Sequence, residues 1–209
     1  EEAVHDLIKE YLTKHQRIIF NGNGYSDEWL AEAERRGLPN IKSMVEAVET
    51  LTTDKAVKLF EKFGIFTKAE LESREEILYE TYAKTINIEA LTMINMASKQ
   101  ILPAVIKYTK TLADTVVAVR EAGAAADVQA DLLKEASTLL EEAKKALEVL
   151  KREDTKAASM PQGKEQAFYY KDAVKEAMTA LRTPIDALEM IVDKEAWPLP
   201  AYGDLMFEV

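Results

Sequence analysis

Histidines and paired carboxylates are the residues most able to do chemistry in this sequence, and they are few. The spacing Glu2-x-x-His5 is half of the motif that di-iron helical bundles use twice, on two different helices. A second copy is missing, because the other histidine, His15, has Leu12 three residues before it. On one helix the two histidines would lie about 15 Å apart along the axis. The pattern therefore favours two ordinary histidines over a metal centre.

Two other stretches have the composition of ligand sites without the required pattern. The loop Asn21–Gly24 contains two glycines, yet it follows a predicted helix and lacks the Gly-Lys-Ser/Thr ending of a phosphate-binding loop. Five glutamates lie in one stretch, at Glu70, Glu72, Glu75, Glu76 and Glu80. Because Arg74 and Lys84 are interspersed with them, we interpret this stretch as an exposed helical face rather than as metal ligands.

The aromatic pair Tyr169-Tyr170, followed by Lys171, has residue types that stack on nucleic-acid bases. At helical spacing these residues are more typical of a protein core and its rim. Histidines at positions 5 and 15 alone also cannot supply a Ser/His/Asp set. We therefore predict no catalytic, cofactor-binding or metal-binding residue in this sequence, and interpret it as a scaffold or interaction domain.

The composition narrows the class of protein further. The 209 residues include 27 Lys+Arg and 37 Asp+Glu, a formal net charge of −10, and they are 47% hydrophobic. An acidic chain without clustered Lys/Arg is poorly suited to nucleic acid or an anionic membrane. The sequence contains no run of about 18 apolar residues, so it predicts no membrane-spanning helix. With no cysteine there is no disulfide and no thiol catalysis, so we expect a cytoplasmic protein.

Apolar residues recur every three or four positions along most of the sequence, which predicts amphipathic helices and an all-α fold. Residues 1–66 hold four short helical patterns separated by glycine-containing turns. Residues 67–196 hold three long patterns, which pack most simply as an antiparallel bundle. We therefore predict one all-helical domain over residues 1–209, made of a short-helix subregion, a long-helix bundle and a tail at 197–209.

Local signals mark the ends and bends of the long helices. Thr67-Lys-Ala-Glu70 has the spacing of a capping box, in which two side chains satisfy free backbone N–H groups at a helix start. Pro103 and Pro184 lie inside the first and third long patterns. Because proline lacks a backbone donor, we expect a kink or a break at Pro103 and a bend at Pro184.

The tail, residues 197–209, differs in character from the rest. Pro198 and Pro200 disfavour regular helix, so we predict a non-helical segment. Its large apolar side chains nevertheless need cover, either from the bundle or from a neighbour. The candidate docking residues are Trp197, Tyr202, Leu205, Met206 and Phe207.

Three stretches carry a resemblance to a known family. They are the loop region 17–29 (RIIFNGNGYSDEW), the segment 32–40 (EAERRGLPN) and the tail 197–207 (WPLPAYGDLMF). Together with segments 86–91 and 93–97, in the same order along the whole chain, they resemble the C-terminal region of the type III glutamine synthetases. The loop region is the most specific of these stretches, because generic helices do not share it.

The resemblance implies a parent enzyme that joins ammonia to glutamate through a γ-glutamyl phosphate, using ATP and Mg or Mn ions. None of that family's catalytic motifs occurs in this sequence, so the resemblance assigns no catalytic residue and implies an inactive fragment that holds no cofactor of its own. It also implies two partners, the catalytic domain of the same chain and neighbouring subunits of a homo-oligomer. In the parent enzyme, the domain would serve structure and assembly.

Two alternatives remain open from the sequence. Glu1 is not an initiator methionine and a helical pattern is already present at Val4, which favours a piece of a longer chain. A stand-alone helical interaction or signalling module would explain the alanine-rich stripe between Ala130 and Leu150 and would start near Glu1. A metal-dependent helical-bundle enzyme rests on Glu2-x-x-His5 alone.

Overall fold

The computed structural model describes residues 2–207, and these residues are mostly α-helical, with no β-strand among them. The predicted all-α class is thus confirmed. The chain divides into two compact units, Glu1–Ala47 and Val48–Val209. Within the described range, no helix combines the length and apolar character needed to cross a membrane.

The first unit is built from short helices. They are α1 (Glu2–Lys14), a 3₁₀ turn (Gln16–Ile18), α2 (Asp27–Arg35) and the start of α3 (Met44–Val48). Ser26 caps α2 by accepting the Trp29 N–H, and Gly37 ends it with φ +71°. The guanidinium of Arg36 donates to the carbonyl oxygens of Gln16, Arg17 and Ile19, which fixes the preceding loop against α2.

The second unit contains the long helices. Its helices, after a 3₁₀ turn (Glu49–Thr52), are α4 (Asp54–Lys62), α5 (Lys68–Met96), α6 (Leu102–Glu121), α7 (Asp127–Ala158), α8 (Lys164–Tyr169), α9 (Lys175–Ile191) and α10 (Tyr202–Phe207). Thr67 and Glu70 form the predicted capping box at the start of α5. One π-helical turn (Ala97–Ile101) joins α5 to α6 and another (Tyr170–Val174) joins α8 to α9. The result is three long helical runs, as predicted.

The core of the second unit lies between these runs. Helix α7 packs against both α6 and α9, while α5 contacts α7 and α8. The largest side chains of this core that are essentially inaccessible are Val105, Leu147, Leu150, Tyr170, Val174, Leu181 and Leu188. The antiparallel arrangement of the runs stays a prediction.

Neither proline ends a helical run. Pro103 is the second residue of α6 and directly follows a π turn, in which the Leu102 N–H donates to the Ala97 carbonyl. The π turn just before Pro103 changes the backbone hydrogen-bond pattern, so the missing proline N–H is accommodated within a continuous helical run. Pro184 is buried inside α9, which continues through it.

The prediction of a non-helical tail is wrong for its last part. Residues 192–201 are irregular, as the prolines require, but α10 follows from Tyr202 to Phe207. The helix forms because both prolines precede it and because the Asp204 carboxylate accepts the Ala201 N–H at 2.8 Å, satisfying a free donor at the helix start.

Candidate docking site

The tail has an inner part and an outer part. Trp197 and Leu199 are partly buried and pack against the core of the second unit. Leu205 and Met206, on α10, are 65% and 72% exposed. The structure thus places Trp197 on the core and leaves the other two to solvent. The side chains of Tyr202 and Phe207 lie outside the described part of the structure.

Polar contacts tie the tail to the residues just before it. The Asp204 carboxylate receives the Lys194 ammonium at 2.6 Å in addition to the Ala201 N–H. Lys194 is the main reason that the pKa of Asp204 is lowered. Upstream, the Asp193 carbonyl accepts the Trp197 N–H at 2.9 Å. These bonds connect the start of α10 to the turn at residues 193–197.

The inner part of the tail borders the π turn between α5 and α6. A pocket of about 550 Å³ separates them, lined by Lys99, Gln100, Pro103, Ala104, Lys107, Glu195, Ala196 and Pro198. The Trp197 Nε1 atom is buried without a hydrogen-bond partner among the described residues, and so is the Ser98 hydroxyl. Buried donors of this kind are costly, so the apolar packing of Trp197 against the core must outweigh that cost.

The residues considered for catalysis do not assemble into a site. His5 and His15 are exposed, and the His5 Nδ1 atom lies 3.3 Å from a carboxylate oxygen of its neighbour Asp6. The loop Asn21–Gly24 forms a turn before α2, in which Asn23 Oδ1 accepts the Tyr25 N–H at 3.0 Å. Over residues 2–207, no group of three or more His, Cys, Asp or Glu side chains is placed to hold a metal ion.

Four of the five glutamates in the acidic stretch make local contacts along α5. Glu70 is in the capping box, Glu72 pairs with Lys68 at 3.5 Å, and Glu80 pairs with Lys84 at 2.5 Å. The Glu75 carboxylate accepts the Tyr79 hydroxyl at 3.2 Å. Glutamates committed to neighbours one turn away are helix-stabilising surface residues.

A buried polar cluster lies where α5, α7 and α8 meet, and the sequence analysis missed it. Asp154 is 5% exposed and accepts the Asn87 amide at 3.0 Å. Gln166, also buried, donates to the carbonyls of Ala157 and Met160, which fastens the α7–α8 turn. A signal was available, because Asp154 falls on the apolar stripe of α7 between Leu150 and Ala157.

Burial controls the electrostatics of this cluster. It raises the pKa of Asp154, and the hydrogen bond from Asn87 offsets part of that rise. Burial also raises the pKa of Tyr170, with the nearby Asp154 charge adding to it. The adjoining pocket is only about 150 Å³ and is lined in part by Asn87, Gln166 and Tyr170. We interpret the cluster as a set of structural polar contacts that connects α5, α7 and α8 within the core.

Tyr169 and Tyr170 take the core and rim positions that helical spacing favours. Tyr170 is 2% exposed within the core. Tyr169, partly buried, donates its hydroxyl to Glu153, and the Lys156 ammonium lies 4.8 Å from its ring centre. Hydrogen bonds from Tyr169 and Arg152 lower the pKa of Glu153. Both tyrosines therefore serve packing between α7 and α8.

Comparison with known proteins supplies what the geometry alone does not. Residues 3–120 match the sequence model of the family described as the glutamine synthetase C-terminal domain. The chain is 37% identical over 211 residues to a glutamine synthetase of Butyrivibrio fibrisolvens, and 32% identical over 217 residues to a type-3 glutamine synthetase of Dictyostelium discoideum. A glutamine synthetase of Bacteroides fragilis (strain YCH46) is also 32% identical over 217 residues. These alignments cover 99–100% of this chain but only 29–30% of the relatives.

Proposed function

Because the chain belongs to the glutamine synthetase C-terminal domain family, we propose that it is the structural and assembly domain of a type III glutamine synthetase. In this proposal, the full enzyme makes glutamine from glutamate, ammonia and ATP with Mg or Mn ions. The catalytic residues lie in the larger part of the enzyme, and this domain packs against that part and against neighbouring subunits.

The division of length between the two parts supports this proposal. The chain spans about 30% of the length of the relatives it matches, which leaves more than twice its own length for catalysis. Among residues 2–207, both histidines are exposed, and no three or more His, Cys, Asp or Glu side chains are grouped so that they could hold a metal ion. A domain with this distribution contributes packing surfaces rather than reacting groups.

The observation that carries the assembly role is the outer part of the tail. Leu205 and Met206 are exposed on a short helix that Trp197 and the Lys194–Asp204 pair hold in place. Large apolar side chains on an anchored helix are a typical interaction surface. If fully covered, each would contribute about 1.5–3 kcal/mol to the contact.

The test is made in the full-length synthetase, with both tail residues replaced together by Leu205→Glu and Met206→Glu. We expect the particle to dissociate into smaller species, measured by native mass spectrometry or by light scattering after size exclusion. The matched control is Met190→Glu on α9, the same change at a methionine that is 83% exposed. An intact particle in the tail variant would contradict the assembly role of this surface.

Activity measurements test the proposal that the catalytic residues lie outside this chain. The purified 209-residue chain is expected to form no glutamine and no γ-glutamyl hydroxamate, whereas the full-length enzyme forms both. Elemental analysis after expression with added iron, manganese and zinc checks the Glu2-x-x-His5 alternative. Turnover by the chain alone, free of host enzyme, would contradict the proposal, and bound metal would support that alternative.

A further inference from the structure

Helix α1 carries an apolar stripe that no described residue of its own unit, 2–47, covers. The stripe consists of Val4, Leu7, Ile8, Tyr11 and Leu12, which are 53–60% exposed. Their spacing of three and four residues puts them on one side of the helix. No residue of α1 is buried, so the whole stripe is available for contact.

A short helix with an exposed apolar side is not expected to be stable without a partner. At 13 residues, α1 is as short as the shortest helices that persist in water without tertiary packing. Its other side is charged or polar, with Asp6, Lys9 and Glu10 among the exposed residues. An amphipathic helix of this kind gains its stability from a partner that covers the apolar side.

We propose that the α1 stripe packs against the region of the synthetase chain that precedes residue 1. This inference rests on the proposed function, in which the present chain is the C-terminal part of such an enzyme. The family matched is described as a C-terminal domain, and the relatives are more than three times as long as this chain. The occupant is therefore a large folded region located upstream.

Covalent connection favours this occupant over a second copy of the chain. Val4, the first residue of the stripe, lies three residues after Glu1, so the upstream region is attached close to the stripe. A short connection of this kind gives the attached surface a millimolar-range effective concentration. A free second copy would have to reach that concentration in solution to compete.

Cysteine labelling in the full-length enzyme tests the proposal directly. Because the chain has no cysteine of its own, a thiol introduced in α1 reports only its own position when the α1 peptide is quantified by mass spectrometry. The probe site is Ile8→Cys, within the stripe. The matched control is Thr13→Cys, an exposed position on the opposite side of the same helix.

We expect the thiol at position 8 to react with N-ethylmaleimide at least ten times more slowly than the thiol at position 13 in the full-length enzyme. In the 209-residue chain the two rates should be within about twofold. Equal rates in the full-length enzyme would overturn the proposal. So would slow reaction at position 8 in the 209-residue chain that depends on its concentration, because a second copy would then be the occupant.

A photo-crosslinking side chain at position 8, such as p-benzoylphenylalanine, identifies the occupant in the full-length enzyme. A crosslinked peptide from the region before residue 1 supports the proposal. A crosslink to another α1, or to residues 48–209, overturns it. The variant with Leu205→Glu and Met206→Glu distinguishes the proposed docking of α1 from the proposed assembly role of the tail. Normal assembly of that variant with a protected position 8 would contradict the assembly role alone.

Discussion

Helices α1 and α7 show the same kind of sequence pattern with opposite outcomes. Both have an apolar stripe at spacings of three and four residues and a charged opposite side. Helix α7 buries its stripe, including Leu147 and Leu150, whereas α1 buries no residue. The comparison shows that apolar periodicity identifies the face of a helix but not the partner of that face.

The partners explain the difference. The stripe of α7 contains small residues at Ala136, Ala143 and Ala157, all of them essentially inaccessible, which lets neighbouring helices approach closely. Its partners α6 and α9 belong to the same unit of the chain. The stripe of α1 has large side chains and no partner among the described residues of its own unit.

Truncating one leucine on each helix should give the largest difference in stability between α7 and α1. In the 209-residue chain, Leu150→Ala should lower the free energy of unfolding by about 2–5 kcal/mol, since it opens a cavity in a packed core. Leu7→Ala should change it by less than about 0.5 kcal/mol, because Leu7 is 53% exposed. Urea unfolding followed by circular dichroism measures both. Equal decreases in the free energy of unfolding would contradict the difference between α1 and α7.

The buried polar cluster gives the next largest effect. We expect Asp154→Ala to be about 1–3 kcal/mol less stable than Asp154→Asn, since only asparagine keeps an acceptor for the Asn87 amide. Both are measured by urea unfolding at pH 7, and similar values for the two variants would show that this bond does not matter.

The pH dependence of the same site has a definite sign. Burial raises the pKa of Asp154 in the folded state, so the folded chain binds this proton more tightly than the unfolded chain does. Wild type therefore loses stability from this group as the pH rises through the folded pKa. Asp154→Asn should be more stable than wild type at pH 7, and the advantage should shrink as the pH falls toward the ordinary aspartate range.

The capping box of α5 is expected to have a smaller effect. Thr67→Ala removes the acceptor for the Glu70 N–H and should lower the free energy of unfolding by about 1 kcal/mol. Thr67→Ser keeps the hydroxyl and is the matched control. Thermal unfolding of the two variants compares them, and a serine variant as unstable as the alanine variant would argue against a capping role.

The smallest effect belongs to the surface of the first unit. Hydrogen bonds from Arg35 and Arg36 lower the pKa of Glu32 to about 2. This group therefore favours the folded unit above the ordinary glutamate pKa, and its contribution is lost as the pH falls toward 2. Titration of Glu32 by NMR should show the lowered pKa, and Arg35→Gln should raise it. An ordinary value in wild type would contradict these contacts.

The sequence was most informative where a local signal acts within one or two turns. The Thr67–Glu70 box and the three long helices follow from such signals, and the structure confirms both. Pro198 and Pro200 do not exclude the helix at Tyr202–Phe207, because a proline restricts its own position and the residue before it, not the residues that follow. The Asn87–Asp154 bond joins residues 67 positions apart, and spacing along one helix does not reveal such a contact.

The two π turns have a consequence for how this domain varies in length. Each holds one residue more than an α-helical path between the same points needs, because its bonds span five residues instead of four. One residue turns a helix face by about 100°. The apolar stripe after Ala97–Ile101 is therefore one residue out of step with the spacing that the stripe before it would predict. A one-residue deletion at exposed Gln100 could be absorbed by a return to regular α-helix. Insertions and deletions among related synthetases should therefore collect at these turns rather than within α7.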